Sequence, residues 1–231
     1  MPDIRYPIPN THFRIIGFGR FGQLALARLT ERFSSAKFSV ADKRPEKFVQ
    51  ITDHTIRMLA VDGVSGLRMV LADMQADDWV IPAIPLHVAY EWLRLNITET
   101  YQLETVDVPD EILESLPNPI RGDTQACYTS VADFICPDDC LEPESLCTCT
   151  GRPRTVVLHE ALVNIVHPEF RPMVIVSRQL APGVGGYRVS DLDAVLTKIT
   201  EHPGPYVLAT ACKCHGVMHA LRVTRLYEGE I

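Results

Sequence analysis

The run from His12 to Ile16 is apolar and ends in the glycine turn Gly17-Phe18-Gly19-Arg20-Phe21-Gly22, after which the pattern changes from strand to helix. From Arg20 to Phe33, residues Phe21, Leu24, Ala25, Ala27, Arg28 and Leu29 fall on one helical face, with charges opposite. Phe38–Asp42 predicts a second strand, and Pro45 suits the first turn of a helix reaching Gln50. Further on, Ile56–Val61 predicts a third strand, Ser65–Met74 a helix, and Asp78–Ile84 a strand kept short by Pro82 and Pro85. His87–Leu95 then predicts a helix. Strands and helices alternating at this spacing predict an α/β fold, a Rossmann-like parallel sheet with helices on its faces.

From Asn96 to Gly151 the texture changes: prolines and five of the seven cysteines replace the hydrophobic periodicity. Regularity returns at Thr155–Val166 and Met173–Leu180, both predicted strands, followed by a glycine loop from Ala181 to Tyr187. Ser190 opens a predicted helix to His202, with Asp193 placed for a capping box. Pro205–Ala211 is a last buried strand running into Cys212-Lys-Cys214-His215. The expected organisation is a Rossmann-like domain over 1–95, an irregular cysteine-rich connection over 96–151, and a smaller α/β part over 152–231.

Composition narrows the class. The 231 residues are long enough to bury a sizeable core, and a hydrophobic fraction of 46% is that of a globular protein. A net charge of −7 argues against a general grip on nucleic acid, which needs a basic face. The apolar runs are too interrupted for a membrane span. The opening MPDIRYPIPN is polar and broken by proline, unlike a secretory signal, so a reducing, cytoplasmic location is expected. There, clustered thiols more often bind metal or do redox chemistry than form structural disulfides.

In the glycine turn, Gly17 permits the tight turn, Gly19 lets backbone approach a pyrophosphate, and Gly22 lets helix pack on strand. The helix start, with Arg20 and Phe21, offers N–H groups and a positive dipole end to the phosphates. Asp42 lies 20 residues after Gly22, at the end of the second predicted strand, where an acidic residue can hold the adenosine ribose. The cofactor expected is NAD(H). Asp42 would repel the extra phosphate of NADP, although Lys43 and Arg44 could bind it, so NADP stays open. The alternative is a plain glycine turn beside a solvated aspartate.

Residues 13–83 carry the run R-I-I-G-F-G-R-F-G, then V-A-D, V-D-G and D-D-W-V-I-P-A. This resembles the nucleotide-binding domains that regulate potassium transport, a resemblance that implies a dinucleotide fold with the glycines and the strand-two aspartate on the nucleotide. The glycine wording is similar to glyceraldehyde-phosphate dehydrogenases too, but their catalytic S-C-T-T-N-C segment is absent. Precorrin-2 dehydrogenases share the size and start, with none of their later residues matched.

Cys136-Pro-Asp-Asp-Cys140 is followed by Cys147-Thr-Cys149 and, far along the chain, by Cys212 and Cys214. Cys136, Cys140 and Cys147 with Cys212 or Cys214 have the form of a four-thiolate [4Fe–4S] site, one loop plus a remote cysteine. Zinc is the alternative, although only the first pair has knuckle spacing; redox thiols are another. Cys149 is a spare candidate, and Cys127 a small core residue. Asp138, Asp139, Glu142 and Glu144 crowd this loop, either as negative charge near the site or as a solvated acidic turn. Gly183, Gly185 and Gly186 could form an anion nest or only a tight turn. His215 could ligate metal or carry a proton, whereas His159, His167 and His219 read as structural or surface residues.

Two functions follow. One is an NAD(H)-binding iron–sulfur redox protein, an oxidoreductase of unassigned substrate. The other is a regulatory module responding to NAD(H) or to the cluster. The expected partners are a nucleotide and a redox partner protein, with a homodimer left open and neither nucleic acid nor membrane insertion expected.

Overall fold

A computed structural model describes residues 11–62, 64 and 66–226. In chain order the elements are β1 (His12–Ile16), α1 (Arg20–Arg32), β2 (Lys37–Asp42), β3 (Arg57–Ala60), α2 (Leu67–Leu71), β4 (Trp79–Pro82), α3 (Val88–Asn96), β5 (Tyr101–Val106), α4 (Asp110–Glu114), β6 (Ile120–Arg121), β7 (Cys127–Ser130), α5 (Leu158–Val163), β8 (Arg171–Val176), β9 (Arg178–Ala181), β10 (Val184–Arg188), α6 (Val189–Glu201), β11 (Gly204–Ala211) and β12 (His215–Arg225). Pro45–Gln50 is a 3₁₀ turn rather than an α-helix. Ser65, where a helix is expected to open, lies outside the described residues.

These elements form a mixed α/β fold with two mixed sheets. The first has the order β3-β2-β1-β4-β10-β9. β1 pairs in parallel with β2 on one side and β4 on the other, and β3 continues in parallel from β2. The sheet is not wholly parallel as expected, because β10 joins β4 antiparallel and β9 joins β10 antiparallel. The stretch read as a glycine loop is thus a hairpin. Pro182 and Gly183 make its turn, with Gly183 at φ +62°, while Gly185 and Gly186 lie inside β10. An anion nest at these three glycines does not form: the Gly183 N–H is taken by the Cys140 carbonyl at 2.9 Å.

The second sheet runs β6-β7-β12-β11-β8, with β5 also pairing β12. β11 and β8 are parallel; the other pairings are antiparallel. Alternation along β11 feeds two cores. Tyr206 and Leu208 face the cluster shared with α2, α3 and α6, and Val207, Ala209 and Ala211 face α4 and α5. The shared cluster also takes Ile16, Ala41 and Val80 from the first sheet, so α3 and α6 are packed between the two sheets. On the outer face of the first sheet, Phe13, Ile15, Val40 and Ile81 pack on Ala25, Leu26 and Leu29 of α1. The buried stripe of α1 is Gly22, Ala25, Leu26 and Leu29, so Phe21, 56% exposed, lies off the core face expected for it.

Two further expectations change. Thr155–Val166 contains the helix α5 rather than a strand, because Leu158 and Leu162, one turn apart, bury completely against the second sheet. The carboxylate that closes the α6 capping box is Asp191, which accepts the Arg188 N–H at 2.9 Å, and not Asp193. Residues 131–157 contain neither helix nor strand, only an isolated bridge between Leu146 and Pro153. Among the described residues no helix is long and apolar enough to cross a membrane.

Candidate functional site

The glycine loop joins β1 to α1 at the carboxyl end of the parallel strands. Gly17 has φ +98°, a conformation L side chains avoid, and a Cβ there would stand 2.8 Å from the Ala83 carbonyl oxygen of the neighbouring strand's extension. A methyl at Gly22 would overlap the Gly17 carbonyl oxygen, so this glycine sets how closely α1 approaches the turn. Gly19 is different: a Cβ built there meets nothing within 4 Å. It is the N-cap of α1 and has no side chain to cap the helix, whose first turn carries no acidic residue. Open space and uncapped N–H groups therefore meet at one point, with Arg20 exposed beside it.

Asp42 ends β2 alongside this loop. Its carboxylate accepts the Phe18 N–H at 2.7 Å, the Arg44 N–H at 2.9 Å and the Lys47 ammonium at 2.7 Å. Burial works to raise its pKa, but the bonds from Lys47, Phe18 and Arg44 outweigh that and hold it below the usual range. An ionised carboxylate has about four lone-pair sites, so capacity remains for a hydroxyl donor. Lys43 is exposed, and the cations that reach the aspartate are Lys47 at 2.7 Å and the Arg44 guanidinium at 3.7 Å. Sequence reasoning missed Lys47; the signal was Pro45, whose 3₁₀ turn brings residue 47 back under the strand end.

The thiols occupy the segment 131–157 and the β11–β12 turn. Cys136, half-buried, has a pKa pushed up to about 11 by burial, then by the sulfurs of Cys140, Cys214, Cys147 and Cys149. Burial and Glu142 push Cys212 up to about 12, and its sulfur accepts the Cys214 and His215 N–H groups at 3.4 and 3.3 Å. His215 Nδ1 stands 3.9 Å from the same sulfur. The Glu142 N–H reaches Cys140 Sγ at 3.4 Å, and Arg154 donates to Cys214 Sγ at 2.5 Å. Among the described residues, however, no three His, Cys, Asp or Glu side chains form a group that could hold a metal ion. Cys127 is buried in the second sheet, apart from the others.

The thiol segment touches the glycine-loop helix directly. Asp138 pairs with Arg20, and Arg28 Nη1 donates to the Asp138 carbonyl at 2.7 Å and the Pro182 carbonyl at 2.5 Å. On the other side, the Lys213 N–H donates to Glu142 at 2.7 Å, tying the loop to the Cys212–Cys214 turn. His87 and His219 are also brought together, with their Nδ1 atoms 3.0 Å apart, Tyr90 stacked on His219 and Thr210 bonded to His87. His219, read from the sequence as structural or surface, is buried in β12; His87 carried no sequence signal beyond opening a helix.

The resemblance to potassium-transport regulators does not hold. No family model of that kind, or of Rossmann nucleotide-binding domains, matches the chain. A six-residue glycine turn specifies a local geometry and too little else to assign a family. A match is found instead over residues 89–224, to a family described as the C-terminal domain of an uncharacterized protein. The chain is 30% identical over 222 residues to an "Uncharacterized protein" of Archaeoglobus fulgidus, covering 90% of this chain and 98% of that one. No solved structure matches. With both the family model and the full-length relative in agreement, this chain belongs to the family of that archaeal protein, whose C-terminal domain spans residues 89–224 here.

Proposed function

We propose that this protein binds NAD(H) at Gly17–Gly22, in a Rossmann-like arrangement of β1–β4, and acts as a redox protein of unassigned substrate. The observation that carries the reading is the division of labour among three glycines: one at positive φ, one packed against backbone, and Gly19 open above an uncapped helix start. The parallel order β3-β2-β1-β4 supports it, since ligands in such sheets collect at the carboxyl edge. In this reading the α1 N–H groups and Arg20 hold the pyrophosphate and Asp42 the ribose hydroxyls. Hydride chemistry would belong to the nicotinamide.

The second centre in this proposal is the thiol group of Cys136, Cys140, Cys147 and Cys214. Its donor chemistry fits a soft metal or an iron–sulfur cluster. Cys212, in the same β11–β12 turn as Cys214, is the alternative remote member. A regulatory module is the competing reading, favoured by the direct contact between the thiol segment and α1. Turnover of NADH with an electron acceptor separates the two.

Calorimetry with NADH and NADPH tests the nucleotide reading. Wild type is expected to prefer NADH, and Asp42→Ala to lose about tenfold of that affinity, the scale of one lost hydrogen-bonded contact to a charged group. No binding of either nucleotide, or equal binding unaffected by Asp42→Ala, removes the assignment.

A further inference from the structure

A residue of the thiol segment engages a side chain of the proposed nucleotide site. Arg20, the first residue of α1, is exposed over 77% of its side chain, and its guanidinium is engaged by the Asp138 carboxylate. That carboxylate is held in place by fixed contacts of its own backbone. Arg28 donates to the Asp138 carbonyl at 2.7 Å, and a Cβ at Gly183 would overlap the same carbonyl. Two residues on, the Cys140 carbonyl accepts the Gly183 N–H at 2.9 Å and the Gln179 amide at 2.5 Å. The segment 138–140 is therefore seated on both α1 and the β9–β10 turn, and the side chain it sends to Arg20 is an anion.

We propose that Asp138 is an internal competitor for the dinucleotide phosphate: it occupies Arg20 until the pyrophosphate displaces it, so that nucleotide binding and the seating of the thiol segment are coupled. The proposal rests on the nucleotide reading above. Its physical basis is charge. A helix N-terminus and an arginine favour one anion, and a carboxylate and a pyrophosphate cannot both use them without repulsion. An ion pair this exposed is weak and exchangeable, as a displaceable contact has to be. The coupling is reciprocal: whatever lifts segment 138–140 off α1 strengthens nucleotide binding by the factor with which nucleotide favours the lifted segment. Thiol chemistry in Cys136-Pro-Asp-Asp-Cys140 would thereby set the occupancy of the glycine loop.

A double-mutant cycle read by NADH calorimetry tests this. Asp138→Asn is expected to tighten NADH binding roughly 2- to 5-fold at low salt, the scale of one exposed ion pair. The gain should shrink at about 1 M salt, where the screening length is only about 3 Å. Asp139→Asn removes the same charge one residue away and should leave affinity unchanged. In an Arg20→Gln background, Asp138→Asn should bring no gain. Equal affinity of wild type and Asp138→Asn overturns the competition while leaving the nucleotide reading intact. The same result follows from an equal gain in Asp139→Asn, or from a gain that survives Arg20→Gln. Absence of NADH binding in wild type and in every variant overturns the nucleotide reading, and the competition with it.

Discussion

Arg14 lies in the middle of β1 with its side chain fully buried, on the opposite face from Phe13 and Ile15. Its Nε donates to Ser39, its Nη2 to Asp73 at 2.9 Å, and its Nη1 has no partner. Asp73 also takes Arg57, and Ser39 Oγ lies 2.7 Å from the His12 ring. Burial lowers the Arg14 pKa while Asp73 raises it, so this carboxylate is the main compensation for a guanidinium that stays charged. Removing one partner of a buried pair leaves the other charge uncompensated, which costs more than the intact pair contributes. Asp73→Ala is therefore expected to destabilise by about 2–3 kcal/mol in urea unfolding, below the usual ~3–5 because Asp73 is itself partly exposed. Arg14→Met, which removes the charge as well, should cost less than Asp73→Ala. The reverse order would show that Asp73 does not compensate the guanidinium. In the sequence Arg14 is only one letter of R-I-I before the glycine turn; its burial depends on Asp73, far along the chain.

At the scale of elements, local pattern succeeded where one element carries its own signal. The strand, turn and helix over residues 12–32 were legible because apolar run, glycines and helical periodicity meet there. It failed at α5, where Val156, Val157 and Val163 suggest a strand. The i, i+4 pair Leu158 and Leu162 buries against Gly216 of β12, where a Cβ would approach them to 3.3 and 3.4 Å. The thiol segment is the element least supported by core. Metal ligation would order it, and Cys140→Ser would loosen it, because binding free energy is then folding free energy for the segment. Protein purified without oxygen is expected to be brown, with about four irons per chain. Proteolysis of the Cys140→Ser variant should begin within 131–157, and Cys127→Ser should change neither colour nor cleavage. Colourless protein with one bound zinc would make the site structural. Colourless, metal-free protein would remove the metal reading.

Across the whole molecule, the two sheets are joined by a shared core and by the His87–His219 contact. His87 precedes α3 at the edge of the first sheet; His219 belongs to β12 of the second. Both are buried. Burial lowers the His219 pKa to about 4, against a backbone hydrogen bond to Thr124 that raises it, and burial together with His219 holds His87 well below its ordinary value. With folded pKa values below the ordinary 6.5, the unfolded chain binds more protons as pH falls. The stability these groups contribute is thus complete above about 6.5 and lost as pH falls toward 4. Urea midpoints measured across that window should fall with acidification in wild type and fall less in His219→Gln. An identical slope in both would place the acid sensitivity elsewhere.

What the sequence determined by itself is whatever a short segment can express through backbone and periodicity. That includes the glycine turn between strand and helix, most elements of residues 12–96, and the gathering of cysteines into a segment poor in core residues. Tertiary structure decided everything that needed two distant segments to meet. β10 completes the first sheet beside β4, Lys47 rather than Lys43 reaches Asp42, and Asp138 reaches Arg20. The physical reason is the same in each case. Local conformational preference is encoded within a few residues, whereas pairing partners are chosen by burial and charge summed over the whole folded chain.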